Sequence, residues 1–279
     1  MEKAVRTAVY DEALDIEAFR FEGIMQPFEN HFHEDYVIGL VEGGKRRLSC
    51  KNREYELYPG NVVLFQPGEN HACVQSDGET FDYRGLIIPK GVMQEGIQKA
   101  TGRRLSSEFA ENVIRDDETA CALRRVHEAV MRKRDKSDRE EALLRLLSVL
   151  LRKYGRADVV GAPTYTREVE KACEWMGLHF SEKMDLEQIG RRVGISKSTL
   201  LRAFVRQKGI TPYRYLETIR INAAKALLEQ GVPPVEAAMR TGFSDQSHLT
   251  RQFVSRIGLS PSAYRYLFLN DKREDETRG

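Results

Sequence analysis

In the first third of the chain, apolar residues come in short runs rich in Val, Ile, Phe and Tyr: Tyr36 to Val41, Arg46 to Cys50, Val62 to Gln66 and Phe81 to Ile88. Runs of this size suit strands, because β-branched and aromatic side chains pack well on a pleated, half-buried surface. Gly43-Gly44, Pro59-Gly60 and Pro67-Gly68 punctuate them, so the expectation is a meandering antiparallel barrel over about residues 15–90 rather than alternating βα units. A small barrel leaves a mouth for one ligand. The period then turns helical, with helices expected over Val92 to Thr101, Thr119 to Lys133 and Ser137 to Tyr154. The third is opened by a Ser137/Glu140 capping box and striped by Leu143, Leu147, Leu150 and Tyr154, with Leu144 and Leu151 widening the stripe. That stripe reads as core or as a dimer face. Between Gly155 and Pro163 the periodicity lapses into Gly, Ala and Pro, the mark of a linker.

Beyond the linker the chain repeats itself at a shift of about 49 residues. Gly194-Ile195-Ser196 aligns with Gly242-Phe243-Ser244, Leu200 with Leu249, Arg202 with Arg251, Phe204 with Phe253, and Gly209-Ile210-Thr211-Pro212 with Gly258-Leu259-Ser260-Pro261, with a slip of one residue before the leucine. Each copy reads as helix, tight turn, helix. Leu186, Ile189 and Val193 lie at helical spacing, Gly194 leaves the helix in a left-handed conformation, Ile195 plugs the angle and Ser196 caps the next helix. In the second copy Ala237, Ala238 and Met239 precede Gly242, Phe243 plugs and Ser244 caps. Leu200 with Phe204, and Leu249 with Phe253, fix the buried faces. The outward faces then carry Lys197, Ser198, Thr199, Leu201, Arg202 and Arg206 in one helix, and Asp245, Gln246, Ser247, His248, Thr250, Arg251 and Arg256 in the other. Between the copies, Thr211 caps and Pro212 opens a long helix through Tyr215, Ile219, Ala223 and Leu227 to Gly231. At ~1.5 Å per residue it is about 28 Å long. A spacer of that size suits two helices in successive major grooves, ~34 Å apart.

Charge strengthens this picture through its distribution. The whole chain carries a net charge of only +2, but Arg191 to Arg265 holds 13 Lys/Arg against 4 acids, a surface that draws phosphate by counterion release. Arg and Gln match guanine and adenine edges in the major groove, and Ser and Thr reach bases or phosphates. The 279 residues suggest two domains. No apolar run approaches the length that spans a bilayer, and no signal segment follows Met1-Glu2-Lys3, so a cytoplasmic location without membrane contact is expected. Cys50, Cys73, Cys121 and Cys173 are scattered and read as buried reduced thiols.

Gly242-Phe243-Ser244-Asp245-Gln246-Ser247-His248-Leu249-Thr250-Arg251-Gln252-Phe253, followed by Gly258-Leu259-Ser260-Pro261-Ser262-Ala263-Tyr264-Arg265, resembles the second helix-turn-helix unit of the AraC/XylS family of bacterial regulators. The resemblance extends over about Thr166 to Leu267. It implies base-reading positions at Ser198, Leu201 and Arg202 in the first unit and at Gln246, Ser247, His248 and Arg251 in the second. At Ser198 and Leu201 this chain offers less hydrogen bonding than some relatives, which lessens the discrimination expected of the first unit.

In the N-terminal half, His31-Phe32-His33 and the Gly60, Gly68, His71 pattern look like the two motifs of a cupin barrel. The carboxylate that follows the second His in metal-binding cupins is missing, since Val37 and Ile38 stand at those positions and Glu34 comes too early. No cofactor or metal is therefore assigned. His31, His33, Glu34, Tyr36 and His71 line an organic-ligand pocket or serve the structure, and a three-His metal site stays a geometric alternative.

The expected fold class is α+β multidomain: a cupin-like sensory and dimerisation domain at 1–155 (barrel about 15–90, helices about 92–155), a linker at 156–165, and an all-α domain of two helix-turn-helix units joined by a long helix at 166–279. The expected function is a ligand-responsive, non-enzymatic, sequence-specific transcriptional regulator. Its expected partners are double-stranded DNA, a small-molecule effector, a second copy of itself, and RNA polymerase if it activates. The alternatives are a metal-dependent cupin enzyme with a helical appendage and a scaffold that binds only protein.

Overall fold

The computed structural model describes residues 4–101, 107–155 and 167–276. The linker expected at 156–165 lies outside the described residues. The chain divides into two compact units, one of residues 1–27 and 33–160, the other of residues 161–279 with the short segment 28–32.

The strands run in the order β1 (Val5–Asp11), β2 (Ile16–Ile24), β3 (Phe28–His31), β4 (Tyr36–Gly43), β5 (Arg46–Cys50), β6 (Arg53–Leu57), β7 (Val62–Phe65), β8 (His71–Gln75), β9 (Phe81–Ile88) and, after helix α1 (Lys90–Thr101), β10 (Val113–Ile114). Helices α2 (Asp117–Met131) and α3 (Lys136–Tyr154) follow. One sheet has the order β1-β2-β9-β4-β7-β10 and the other β3-β8-β5-β6. The pairings are antiparallel, as expected, but the path is no meander: β4 lies between β9 and β7, and β8 pairs with β5. Gly44, Gly60 and Gly68 adopt positive φ at their turns, and Asp15, Lys51 and Asn52 do so at others, yet a turn does not choose a distant partner strand. The first strand also begins ahead of the expected barrel boundary.

Alternation on β4 assigns the two faces of the larger sheet. Tyr36, Ile38 and Leu40, with Ile16 and Ala18, Val62 and Leu64, and Leu86 and Ile88, are buried with Met93, Ile97, Leu123, Val126, Leu143, Leu146, Leu147 and Leu150 of the three helices. The leucine stripe of α3 is therefore core. Its expected capping box does not form, because the helix begins one residue earlier and Asp135 precedes it without a side-chain cap. On the opposite face Gly39 pairs with Gly85, and the rings of Tyr83 and Phe19 occupy the space that their Cβ atoms would take. Two contacts join this face to the smaller sheet. The Arg46 guanidinium lies 4.7 Å from the Phe81 ring centre and donates to the carbonyls of Ile24, Lys45 and Glu79, while the His71 ring stacks on Phe65 at 3.6 Å.

The second unit contains α4 (Arg167–Leu178), α5 (Leu186–Val193), α6 (Lys197–Lys208), α7 (Pro212–Glu229), α8 (Pro234–Arg240), α9 (Gln246–Ile257) and α10 (Pro261–Glu276). It has two small cores. Val169, Ala172, Met176, Ile189, Leu200, Phe204, Ile210 and Leu216 form the first, and Ile221, Ala224, Leu228, Ala237, Ala238, Phe243, Leu249, Phe253 and Tyr264 the second. Helix α7 serves both, one half each. The apolar side chains that α7 buries in these cores are Leu216, Ile221, Ala224 and Leu228, while Tyr215, Ile219 and Leu227 are only partly buried, so its apolar stripe is rotated from the expected one by about one position. Of the cysteines, Cys50 and Cys73 are buried, Cys173 is half-buried and Cys121 is exposed. Burial pushes the Cys50 and Cys73 thiols up to about 12. Cys121 departs from the expected burial because its side chain falls on the outer face of α2.

Candidate functional site

The two helix-turn-helix units are fixed by local hydrogen bonds. The Asp185 carboxylate accepts from the Gln188 backbone N–H and the Gln188 side-chain oxygen accepts from the Asp185 backbone N–H, a complete capping box at the start of α5. Gly194 leaves that helix at φ 81°. The Ser196 hydroxyl then accepts from Thr199 N at 3.2 Å to start α6. Thr211 caps α7 and Pro212 takes its first position, where a missing N–H costs nothing.

The second unit differs from expectation at its cap. Asp245, not Ser244, caps α9, accepting from His248 N at 2.7 Å, and Ser244 donates to the Asp245 carboxylate at 2.9 Å. These bonds hold the Asp245 carboxyl below the usual carboxylate range. The slip between the copies is thereby explained: both caps stand four residues before a buried leucine, Ser196 before Leu200 and Asp245 before Leu249, and Ser244 is the extra residue in the turn. The sequence held the signal in that constant spacing.

Counted from the caps, Arg202 and Arg251 occupy the same position on their helices. Both are exposed, and neither forms an ion pair with the described residues. Lys197, Ser198, Thr199 and Arg206 on α6, and Gln246 and Ser247 on α9, are also exposed, while Leu201, His248 and Thr250 are half-buried. His248 is held by a 3.3 Å contact with the Ser244 hydroxyl and an edge-on contact with Phe243. Arg256 does not belong to the outward set. It is 3% exposed and its guanidinium reaches Glu217 of α7 at 3.1 Å. Arg220 likewise turns inward, donating to the carbonyls of Phe180 and Glu182, and Arg265 donates to that of Gly231. Part of the positive charge counted along the sequence therefore holds the domain together.

In the barrel, His31, His33 and His71 come together, with one ring nitrogen of each within 4.8 Å of the others. His31 and His71 are buried and His33 is half-buried. Burial holds the His31 imidazole neutral, down at about 4. Glu34 and Tyr36 are not part of this cluster. Glu34 is exposed, 3.9 Å from the Lys90 ammonium. Tyr36 lies on the helix-covered face of the larger sheet and donates to Ser107 Oγ at 2.7 Å, because strand alternation sends it away from the barrel interior.

A family model described as "AraC-like ligand binding domain" matches residues 13–150, and one described as "Helix-turn-helix domain" matches residues 189–266. The HTH-type transcriptional regulator YbfI of Bacillus subtilis (strain 168), itself uncharacterized, is 43% identical over 250 residues, covering 89% of this chain and 91% of the relative. The chain belongs to the AraC family of transcriptional regulators. This AraC-family chain is also 25% identical over 234 residues to the arabinose operon regulatory protein of Salmonella typhimurium (strain LT2), covering 82% of this chain and 83% of that one. Its fold is similar to apo ToxT from Vibrio cholerae strain SCE256, with TM-score 0.53 and 15% identity over 91% of this chain and 97% of the other. The AraC-family protein thus joins a cupin-like ligand-binding domain to a helix-turn-helix domain, and the cupin-enzyme alternative has no support from these matches. No helix among the described residues is long and apolar enough to cross a membrane.

Proposed function

We propose that α6 and α9 enter successive major grooves of one DNA duplex and read bases through Arg202 and Arg251, with Gln246, Ser247 and His248 adding contacts in the second unit. Lys197, Ser198, Thr199, Leu201, Arg206 and Thr250 frame those helices and meet phosphates or thymine methyl groups. The observation that carries this reading is the matched, exposed placement of Arg202 and Arg251, each six residues beyond its cap. An α7 of 18 residues is about 27 Å long, a spacing suited to adjacent grooves. Residues 1–155 act as the sensory and dimerisation domain, 156–165 as the linker and 166–279 as the DNA-binding domain. The protein works in the cytoplasm as a homodimer without catalysing a reaction, answers a small effector held in the barrel, and meets RNA polymerase where it activates.

The test is a mobility shift and footprint on DNA from upstream of its own and neighbouring genes, with competitor DNA at stated salt. A footprint over two adjacent major grooves per protomer is expected. Arg251→Ala is expected to weaken specific binding by about 1–3 kcal/mol. An equal loss on random DNA would refute base reading by Arg251, and no specific complex at all would refute the regulatory assignment of these helices.

A further inference from the structure

Asp245, Ser244 and His248 form a hydrogen-bonded chain at the start of α9 that capping alone does not require. Asp245 Oδ1 caps the helix by accepting from His248 N, and its Oδ2 accepts from the Ser244 hydroxyl at 2.9 Å. These bonds keep the carboxyl below the usual carboxylate range, so it is ionised and only accepts. A hydroxyl has a single proton, and the shorter, charge-assisted bond takes it. The 3.3 Å contact between Ser244 Oγ and His248 Nδ1 is then left with one polarity: Nδ1 carries the proton and the serine oxygen accepts. Nε2 is thereby the lone-pair nitrogen, and it makes no hydrogen bond with the described residues. The ring is held in direction as well as in protonation, because it meets Phe243 edge-on at 5.2 Å and 87° while remaining half-buried.

We infer that Ser244 is a positioning residue for base recognition: it fixes His248 as a hydrogen-bond acceptor, which selects an amino base, cytosine or adenine, over a keto base, guanine or thymine, at one position of the groove that α9 enters. The inference rests on the reading of α9 as a recognition helix and adds the polarity of one contact. In the major groove cytosine N4 and adenine N6 donate, whereas guanine N7 and O6 and thymine O4 only accept. An acceptor set against a keto base leaves two lone pairs facing each other and no bond. The first unit has no counterpart. Thr199, three residues beyond its cap as His248 is beyond Asp245, carries a hydroxyl 2.9 Å from Ser196 Oγ, and a hydroxyl both donates and accepts. The fixed polarity therefore belongs to the second unit.

The experiment uses the full chain in two measurements. Long-range proton–nitrogen correlation spectra of the neutral imidazoles, with the His248 signals identified by their loss in His248→Ala, are expected to place the proton on Nδ1. In Ser244→Ala, whose helix keeps the Asp245 cap and whose fold is checked by circular dichroism, the proton is expected to be shared between the two nitrogens; Ser244→Thr, which keeps a hydroxyl, should restore the wild-type pattern. Selection from duplexes randomised across two adjacent grooves should then favour adenine or cytosine on one strand, by about fivefold, at the position whose preference disappears in His248→Ala. That preference should relax in Ser244→Ala and return in Ser244→Thr. A wild-type proton on Nε2, a His248-dependent position that favours guanine or thymine, or a preference indifferent to Ser244→Ala overturns the inference. Failure of the wild type to enrich any sequence refutes the regulatory reading itself, whereas enrichment that depends on Arg251 but not on His248 leaves that reading standing and overturns this one.

Discussion

Arg256 and Glu217 set up an asymmetric test of what fixes the second recognition helix to the domain. Their side chains are 1% and 4% exposed and meet at 3.1 Å, joining the last turn of α9 to the second turn of α7. At an effective dielectric of ~20 such a pair attracts by about 5 kcal/mol, and much of that offsets the cost of taking both charges from water. That cost is visible in Arg256, whose pKa is lowered chiefly by burial, and whose Nε has no hydrogen-bond partner. Removing one partner exposes the cost. Glu217→Met leaves the guanidinium with Gln252 as its other partner and is expected to destabilise the domain by about 3–5 kcal/mol. Arg256→Met is expected to cost less, because Glu217 retains Arg214 at 3.7 Å. The double Met variant, which buries no net charge, is expected to lie within about 1–2 kcal/mol of the wild type.

Urea unfolding followed by circular dichroism measures all four proteins and closes the double-mutant cycle. The coupling energy should be large and favourable. If Glu217→Met changes stability by less than about 1 kcal/mol, or if the double variant falls as low as the worse single one, the buried pair is not what holds α9 to α7.

Two further predictions concern backbone and pH. Gly194 and Gly242 both adopt left-handed φ, but a Cβ at Gly194 meets nothing within 4 Å, whereas one at Gly242 falls 2.7 Å from the Ser181 carbonyl oxygen. Gly194→Ala is therefore expected to cost about 1–2 kcal/mol and Gly242→Ala distinctly more, and equal losses in thermal melts would contradict the steric argument. His127 is buried, donates from Nε2 to the Phe19 carbonyl at 2.8 Å and is held down at about 4 from 6.5, chiefly by burial. Because its folded value lies below the unfolded one, its contribution is complete above pH 6.5 and is lost as pH falls toward 4, by roughly 3 kcal/mol at the limit. His127→Gln keeps a donor for Phe19 and should flatten the stability profile of the barrel unit between those pH values; an unchanged slope there would show that other groups govern acid unfolding.

What the sequence determined is local. Gly194, Gly209, Gly242 and Gly258 sit where helices must exit in the left-handed region, and all four do so; Leu200, Phe204, Leu249 and Phe253, at helical spacing, are buried. These features act within one turn of chain, so the repeat and its two helix-turn-helix units could be read from residue order alone. The exposure of Arg202 and Arg251 followed from the same period.

Tertiary structure decided everything that depends on a distant partner. The charge count could not separate Arg251, exposed, from Arg256, buried against a glutamate 39 residues earlier, because the sign of a side chain does not say which acid folds against it. Strand order was equally hidden: each strand fits several neighbours until burial of the whole sheet selects one, which is why β8 lies beside β3 and β5. That selection brings His71 to His31 and His33 and sends Tyr36 to the helix-covered face. The histidine motifs were written in the sequence, but their convergence is a product of long-range pairing.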